Sequence, residues 1–173
     1  MPDFALRPAT SADAPALSAL GRDSFVAKFG HLYRPEDLAA FLAESHAQDV
    51  VERHLADPAM RVMLAEAEGT LLGYCRIVLD CGWPEHARGA RAIELRHLYT
   101  APAATGRGIG AALLGWALAE AKREGADEMQ LSVWSGNDGA QRFYRRYGFE
   151  KVADIDFWVG RQRDDEYLFA RML

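Results

Sequence analysis

The spacing of apolar residues predicts helices in the first third of the chain and alternating strands and helices after it. Residues 4–7 read as a short strand. Apolar side chains then recur at helical spacing over residues 14–29, and Gly30 ends this first helix. A second helical stretch covers residues 35–55, opened by a proline that suits a first turn, with a candidate break near Ser45.

The rest of the chain carries shorter apolar runs bounded by turn residues, which is typical of strands that alternate with helices. A charged turn is predicted at residues 160–165. The predicted strands lie at residues 61–67, 71–79, 93–99, 129–134, 149–158 and 166–172, and the predicted helices at residues 108–125 and 140–147. This order predicts one α+β domain over residues 1–173, with a mixed sheet.

The strand at residues 93–99 contains an irregularity in its pattern. Leu95 and Leu98 are both apolar, yet strict alternation places them on opposite faces of a strand. A β-bulge at Arg96 or His97 would bring them to one face, and bulges are frequent next to active sites. We therefore expect a bulge in this strand.

The loop after this strand is rich in glycine and leads into an apolar helix. Gly106, Gly108 and Gly110 allow backbone N–H groups to approach a ligand closely. The free donors of a first helical turn, together with the helix dipole, favour a pyrophosphate there. A P-loop is excluded because no Lys-Ser or Lys-Thr follows these glycines. A dinucleotide fold is disfavoured because the next strand ends in Ser135 rather than in an acidic residue.

Composition and charge restrict the possible partners. The chain has 173 residues, a net charge of −5 and two cysteines, Cys75 and Cys81. The acidic balance disfavours a nucleic-acid partner, and no disulfide framework or metal-ligand spacing is present in the sequence. No apolar run approaches the roughly 20 residues of a membrane span, and no signal-type segment opens the chain. We expect a cytoplasmic protein without a membrane partner.

Two sequence blocks resemble the signatures of the GNAT superfamily of N-acetyltransferases. The first is Arg107-Gly108-Ile109-Gly110 before the apolar helix, and the second is Asn137 followed by residues 143–149, FYRRYGF. One position departs from the family pattern, because Thr105 stands where the family has Gln or Arg; it offers phosphate a hydroxyl but no charge.

The resemblance implies a fold, a co-substrate and a set of contacts. The implied fold is an α/β sandwich, with a largely antiparallel seven-stranded sheet, helices on both faces, and a fourth and a fifth strand that splay apart. The implied co-substrate is acetyl-CoA, with its pantetheine arm inserted between those two strands, and no metal is implied. The residues expected to bind it are Leu98, Tyr99, Thr100, Thr105, Gly106, Arg107, Gly108, Ile109, Gly110, Ala111, Asn137 and Tyr144.

Acetyl transfer to an amine needs a base, because an ammonium of pKa about 10.4 cannot attack. We expect Glu94 to be that base, acting through a water molecule, although a salt bridge to Arg96 or Arg91 would explain it equally well. His97 is the alternative base. Tyr144 is expected to protonate the departing thiolate, as the resemblance implies.

The acceptor is expected to be an amine of a small molecule or peptide, attacking directly because neither cysteine lies in the signature blocks. Tyr33, Trp83 and His86 are candidate residues of its pocket. Transfer of a longer acyl group, and a non-catalytic CoA-binding module, remain alternatives. The strand-rich C terminus is compatible with a homodimer.

Overall fold

The computed structural model describes residues 2–173 and contains one seven-stranded sheet. The strand order is β1-β2-β3-β4-β5-β7-β6, in which β4 and β5 are parallel and every other neighbouring pair is antiparallel. The strands are β1 (Ala5–Pro8), β2 (Met60–Ala67), β3 (Thr70–Val78), β4 (Ala92–Thr100), β5 (Glu128–Trp134), β6 (Glu150–Val159) and β7 (Gln162–Met172).

Five α-helices pack against this sheet in the described part of the chain. They are α1 (Ala14–Phe29), α2 (Pro35–Ser45), α3 (Gln48–Ala56), α4 (Ile109–Arg123) and α5 (Asp138–Arg146). The second predicted helix is therefore two helices. The chain turns at His46 and Ala47, where extended backbone at Ala47 starts α3 in a new direction.

The sheet is covered on both faces because consecutive residues of its central strands are buried, and consecutive side chains of a strand face opposite ways. On one face, α4 packs over Cys75, Ile77 and Met129, which belong to the largest apolar cluster of the protein. On the other face, α1 and α3 pack over Leu64 and Tyr74. The predicted mixed, largely antiparallel seven-stranded sheet with helices on both faces is confirmed.

The last strand is longer than the sequence predicts, and β6 has the predicted length but is shifted by one residue. We expected a charged turn at residues 160–165, whereas the turn is limited to Gly160 and Arg161, and β7 begins at Gln162. The charged residues fit into strands because alternate side chains face opposite ways. Arg163 lies at the surface and contacts Asp156 across the pair, while Asp164 is buried.

None of the helices in residues 2–173 has the length and the apolar character needed to cross a bilayer. The cytoplasmic location, the single-domain organisation and the homodimer stay predictions from the sequence.

Candidate active site

The candidate site is built around the place where β4 and β5 separate. The two strands pair only at their first three residues, and the last pair is Glu94 with Gln130. Beyond that pair, β4 continues along β3 as far as Thr100, and β5 continues along β7 as far as Trp134. The edges that face each other, residues 95–100 of β4 and 131–134 of β5, are therefore unpaired; we call this opening the strand gap.

A β-bulge in β4 lies at the start of the strand gap. Arg76 of β3 pairs with His97 and the next residue, Ile77, pairs with Leu95, so that Arg96 is the extra residue. The bulge brings Leu95 and Leu98 to the same apolar cluster under α4. This confirms the bulge that the sequence pattern predicts. It also turns His97 and Tyr99 to the opposite face, under α1.

Backbone groups of β4 are directed into the strand gap. The N–H of Ala101 donates to the carbonyl of Leu72 in β3. The carbonyl of Tyr99 also points toward β3, because a Cβ placed on Gly73 would lie 2.7 Å from its oxygen. Because backbone groups of successive strand residues alternate in direction, the N–H and C=O of Leu98 and Thr100 point away from β3. They face the strand gap, without a partner strand.

A cavity of about 580 Å³ fills the strand gap and extends to both faces of the sheet. At the α5 side its wall includes Asn137, Ala140 and Tyr144. On the side of α1 and α2 the wall is aromatic and is formed by Phe25, Phe29, Tyr33, Phe41, Phe157 and Trp158. The cavity thus connects two chemically different openings through the space between β4 and β5.

Glu94 lies in the wall of this cavity, where the paired part of β4 ends. The residue is 3 % exposed, and its Oε1 accepts a hydrogen bond from Nε of Arg96 at 2.9 Å. Burial raises the pKa of the Glu94 carboxyl, and the charges of Arg96 and Arg76 oppose that rise. The salt bridge that was the alternative to a catalytic role is therefore formed, with Arg96. Glu94 nevertheless also lines the cavity.

Tyr144 and Asn137 reach the cavity from α5. Burial raises the pKa of the Tyr144 phenol, so the hydroxyl remains protonated at neutral pH. No group of residues 2–173 is hydrogen bonded to that hydroxyl, although the ring packs against Phe143 and Phe149. The Oδ1 of Asn137 accepts from the N–H of Ala140 at 3.1 Å and caps α5, which leaves its amide N–H₂ for the cavity.

The glycine loop has the backbone conformation that an anion cradle requires. Gly106 and Gly108 have φ of +78° and +79°, and a Cβ at either position would meet nothing within 4 Å. The first intrahelical bond of α4 runs from Ala112 to the carbonyl of Gly108, so the N–H groups of Ile109, Gly110 and Ala111 have no helical partner.

The two polar side chains of this loop are engaged within the protein. The hydroxyl of Thr105 donates to the carbonyl of Pro102 at 3.2 Å, and the guanidinium of Arg107 pairs with Asp3. The backbone donors, rather than these two side chains, are the free groups at the start of α4.

His97 lines the cavity, but one of its ring nitrogens is engaged within the protein. Its Nδ1 lies 3.1 Å from the hydroxyl of Tyr74, and its ring stacks on His46 at 5.3 Å between centroids. Burial, helped by the charge of Arg76, lowers the pKa of the His97 imidazole well below its usual value. A base of such low pKa is a weak proton acceptor, which favours Glu94.

The structure adds charged residues to the site that the sequence did not single out: Lys28 of α1, Glu44 of α2, Arg76 of β3 and Glu166 of β7. Glu166 is 8 % exposed, and burial raises the pKa of its carboxyl to about 7. Alternation along β7 could have placed it inward, because it precedes the buried Leu168 by two positions. Tyr33 and Trp83 line the cavity as expected, whereas His86 does not and lies in a short 3₁₀ turn beside Glu85.

No group of three or more His, Cys, Asp or Glu side chains among residues 2–173 has the arrangement of a metal site.

Comparison with known proteins gives consistent matches over most of the chain. The model of the Acetyltransferase (GNAT) family matches residues 24–149. An uncharacterized N-acetyltransferase of Mycobacterium bovis is 30% identical over 162 residues, covering 93% of this chain and 98% of the relative. An aminoalkylphosphonate N-acetyltransferase of Salmonella typhimurium is 31% identical over 153 residues, covering 87% and 88%. The fold is similar to that of the PaiA N-acetyltransferase from Thermoplasma acidophilum in complex with coenzyme A, with a TM-score of 0.80, 21% identity, and 98% and 99% of the two chains covered.

Proposed function

The chain belongs to the Acetyltransferase (GNAT) family and is an acetyl-CoA-dependent N-acetyltransferase, and from that premise we propose that it acetylates a small primary amine by direct attack. The observation that carries this proposal is the strand gap. Pairing between β4 and β5 stops at Glu94 and Gln130, and a cavity joins the two faces of the sheet at that point.

The residues around the gap fit acetyl-CoA. The cradle of Gly106 and Gly108 lacks side chains where a pyrophosphate would lie, and the first-turn N–H groups of α4 supply its donors. The free edge at Leu98 and Thr100 supplies a strand to which the amide groups of a pantetheine arm can bond. When bound, acetyl-CoA supplies an activated acetyl group in the form of a thioester.

The acceptor enters from the side of α1 and α2. This follows because Tyr144 and Asn137 occupy the opposite opening, next to the cofactor cradle. The aromatic wall, with Phe25 and Phe41 at its base, suits the apolar part of a small amine. The relative named an aminoalkylphosphonate N-acetyltransferase acts on a small amine, in agreement with this choice.

Glu94 is the general base in this proposal. The Glu94 carboxylate, through a water molecule, takes a proton from the acceptor ammonium, so that the nitrogen lone pair can attack the thioester carbonyl. The pKa of Glu94, raised by burial, makes it a better proton acceptor than an exposed carboxylate. The Arg96 guanidinium holds the carboxylate in place at the edge of the cavity.

Backbone N–H groups and Tyr144 handle the charge that develops on attack. The N–H of Leu98 faces the strand gap and stabilises negative charge on the carbonyl oxygen of the thioester. As the C–N bond forms and the C–S bond breaks, the Tyr144 hydroxyl donates a hydrogen bond and then a proton to the departing sulfur. The extra proton on the new amide nitrogen passes through water to the Tyr144 phenolate, which restores the hydroxyl. Neither Cys75 nor Cys81 lies in the wall of the cavity, which supports direct attack over a covalent enzyme intermediate.

The test is release of free thiol from acetyl-CoA in the presence of a panel of amines, followed by mass spectrometry of the products. The proposal expects thiol release that depends on the amine, and a product heavier by one acetyl group. Turnover with a longer acyl-CoA but not with acetyl-CoA would identify an acyltransferase of different specificity. Binding of acetyl-CoA with no thiol release for any amine would indicate a non-catalytic module.

A further inference from the structure

Arg76 is a buried guanidinium without a carboxylate partner. The residue is 8 % exposed and lies in the wall of the cavity. One of its terminal nitrogens contacts Nδ1 of His54, and its Nε has no hydrogen-bond partner among residues 2–173. No Asp or Glu in that part of the chain forms an ion pair with it. A buried charge is costly unless it is paired, and Glu94 acts on this charge without forming an ion pair with it. An anion bound in the cavity beside Arg76 would therefore stabilise the guanidinium.

The contact between Arg76 and His54 leaves only hydrogen-bond donors in this part of the cavity wall. Arginine has five N–H donors and no acceptor, so Nδ1 of His54 must accept and its Nε2 must carry the ring proton. Burial, and then the charge of Arg76, lower the pKa of the His54 imidazole to about 4, so the ring is neutral at pH 7. The pair therefore offers one positive charge, several N–H groups and no acceptor.

The position of Arg76 relates this charge to the reacting nitrogen. Arg76 pairs with His97 on β4, and Val78, two positions further along β3, pairs with Glu94. Residues two apart on a strand share a face at a spacing of about 7 Å. An anionic group at Arg76 would therefore lie a few covalent bonds from an amine that is deprotonated near Glu94.

We propose that Arg76, assisted by His54, binds an acidic group of the acceptor, so that the preferred substrate is a small amine with a carboxylate or phosphonate a few bonds from its nitrogen. The proposal rests on the acetyltransferase function described above and names its substrate class. Lys28 and Arg96 are the other cationic side chains of the wall, whereas Glu44 and Glu166, besides the base Glu94, are the acidic groups that a purely cationic acceptor would use instead.

The experiment compares pairs of amines that differ only in the acidic group: L-phenylalanine with phenethylamine, and 3-aminopropylphosphonate with propylamine. Spermidine represents a cationic acceptor without an acidic group. Release of CoA thiol is measured for the wild type, Arg76→Gln, Arg76→Lys and His54→Gln. Arg53→Gln is the matched control, because Arg53 lies beside His54 on α3 but is exposed and pairs with Asp49.

We expect the wild type to prefer the acid-bearing member of a pair by about 10- to 100-fold in kcat/KM, the range of a hydrogen-bonded charged group. Arg76→Gln should abolish that preference through KM of the acid-bearing amine. The readout is the ratio between the two members of a pair, because Arg76 also lowers the pKa of Glu94 and its loss changes kcat of both members alike. Arg76→Lys should retain part of the preference, because lysine keeps the positive charge but lacks the paired N–H donors of the guanidinium. Arg53→Gln should retain all of the preference.

Three results would overturn the substrate class while leaving acetyl transfer intact. They are equal kcat/KM of the wild type for both amines of a pair, a preference of the wild type for spermidine, and an equal fall in kcat/KM for both amines of a pair in Arg76→Gln. If Arg76→Gln does not fold, as judged by circular dichroism, Arg76→Lys and His54→Gln decide the question by the same ratio. If none of these amines supports thiol release by the wild type, binding of the same amines to the CoA-bound protein is measured by calorimetry. Absence of binding by both acid-bearing amines then overturns the proposal.

Discussion

Replacing Glu94 by Gln is the perturbation that most sharply separates a catalytic role of this residue from a structural one. The substitution preserves the size of the side chain and its place in the cavity wall, and it removes the negative charge. It also breaks the ion pair with Arg96, whose side chain is 51 % exposed. Because Arg96 is solvated at that exposure, loss of the pair should cost at most ~1 kcal/mol of the free energy of unfolding.

The effect on catalysis should be much larger than the effect on folding. A positioned general base contributes ~10² to 10⁴ in rate, which corresponds to ~3 to 5 kcal/mol of activation free energy. Glu94 is separated from the glycine cradle by the length of the strand gap, so the dissociation constant of acetyl-CoA should stay within about twofold. We therefore expect a fall in kcat with little change in cofactor binding.

The assay is thiol release measured from pH 4.5, the ordinary pKa of a glutamate carboxyl, to pH 9, with the dissociation constant of acetyl-CoA measured by calorimetry. In the wild type, activity should rise as the pH passes the raised pKa of Glu94, because the base must be deprotonated, and this rise should be absent from Glu94→Gln. The control is Arg96→Gln, which keeps the base and should shift the rise to higher pH because Arg96 lowers the pKa of Glu94. The reasoning is refuted if Glu94→Gln keeps kcat/KM within about threefold of the wild type throughout this range.

Three further predictions test other parts of the site. Gly108→Asp should weaken acetyl-CoA binding at least ~10-fold, because it places a negative charge where the pyrophosphate would bind. The control Gly108→Ala should cost only the backbone strain of a positive φ, ~1 kcal/mol of the free energy of unfolding. Wild-type affinity of the Asp variant for acetyl-CoA would exclude the cradle. Tyr144→Phe should lower kcat by ~10² with unchanged affinity for acetyl-CoA, and equal losses in both would indicate packing instead. Glu166→Gln should stabilise the fold at pH 8 by about 3 kcal/mol, because the folded state holds the Glu166 proton up to a pKa of about 7 and the unfolded state loses it near 4.5. Thermal melting should show this gain at pH 8 and none at pH 4. Equal melting temperatures of the variant and the wild type at pH 8 would contradict the burial of the Glu166 carboxylate.

The parts of the fold that local patterns determine could be predicted from the sequence. The conflict between Leu95 and Leu98 indicated the bulge, and Gly106 and Gly108 indicated a loop whose backbone N–H groups a ligand can approach, because each feature depends on residues close together in the chain. The end of pairing at Glu94 depends on β7 as well as on β4 and β5, and only the resemblance to a family implied it.

The residues that the sequence did not reveal are those whose meaning depends on distant neighbours. Arg76 looks like an ordinary charged position in an alternating strand, and only the packing of α3 beside it shows that it is buried against His54. Glu166 was predicted to begin a strand that in fact begins at Gln162, so its spacing of two residues from Leu168 was the one local sign of its inward orientation. Charged residues are usually exposed, which explains both omissions.

The central claim is that the start of α4 holds the pyrophosphate of CoA while the strand gap holds the pantetheine arm. A crystal structure of the protein with coenzyme A tests this claim most directly. We expect the pyrophosphate oxygens within hydrogen-bond distance of the N–H groups of residues 108–111, and the pantetheine amides bonded to Leu98 and Thr100. Coenzyme A bound elsewhere, with β4 and β5 paired continuously as far as Thr100, would contradict the claim.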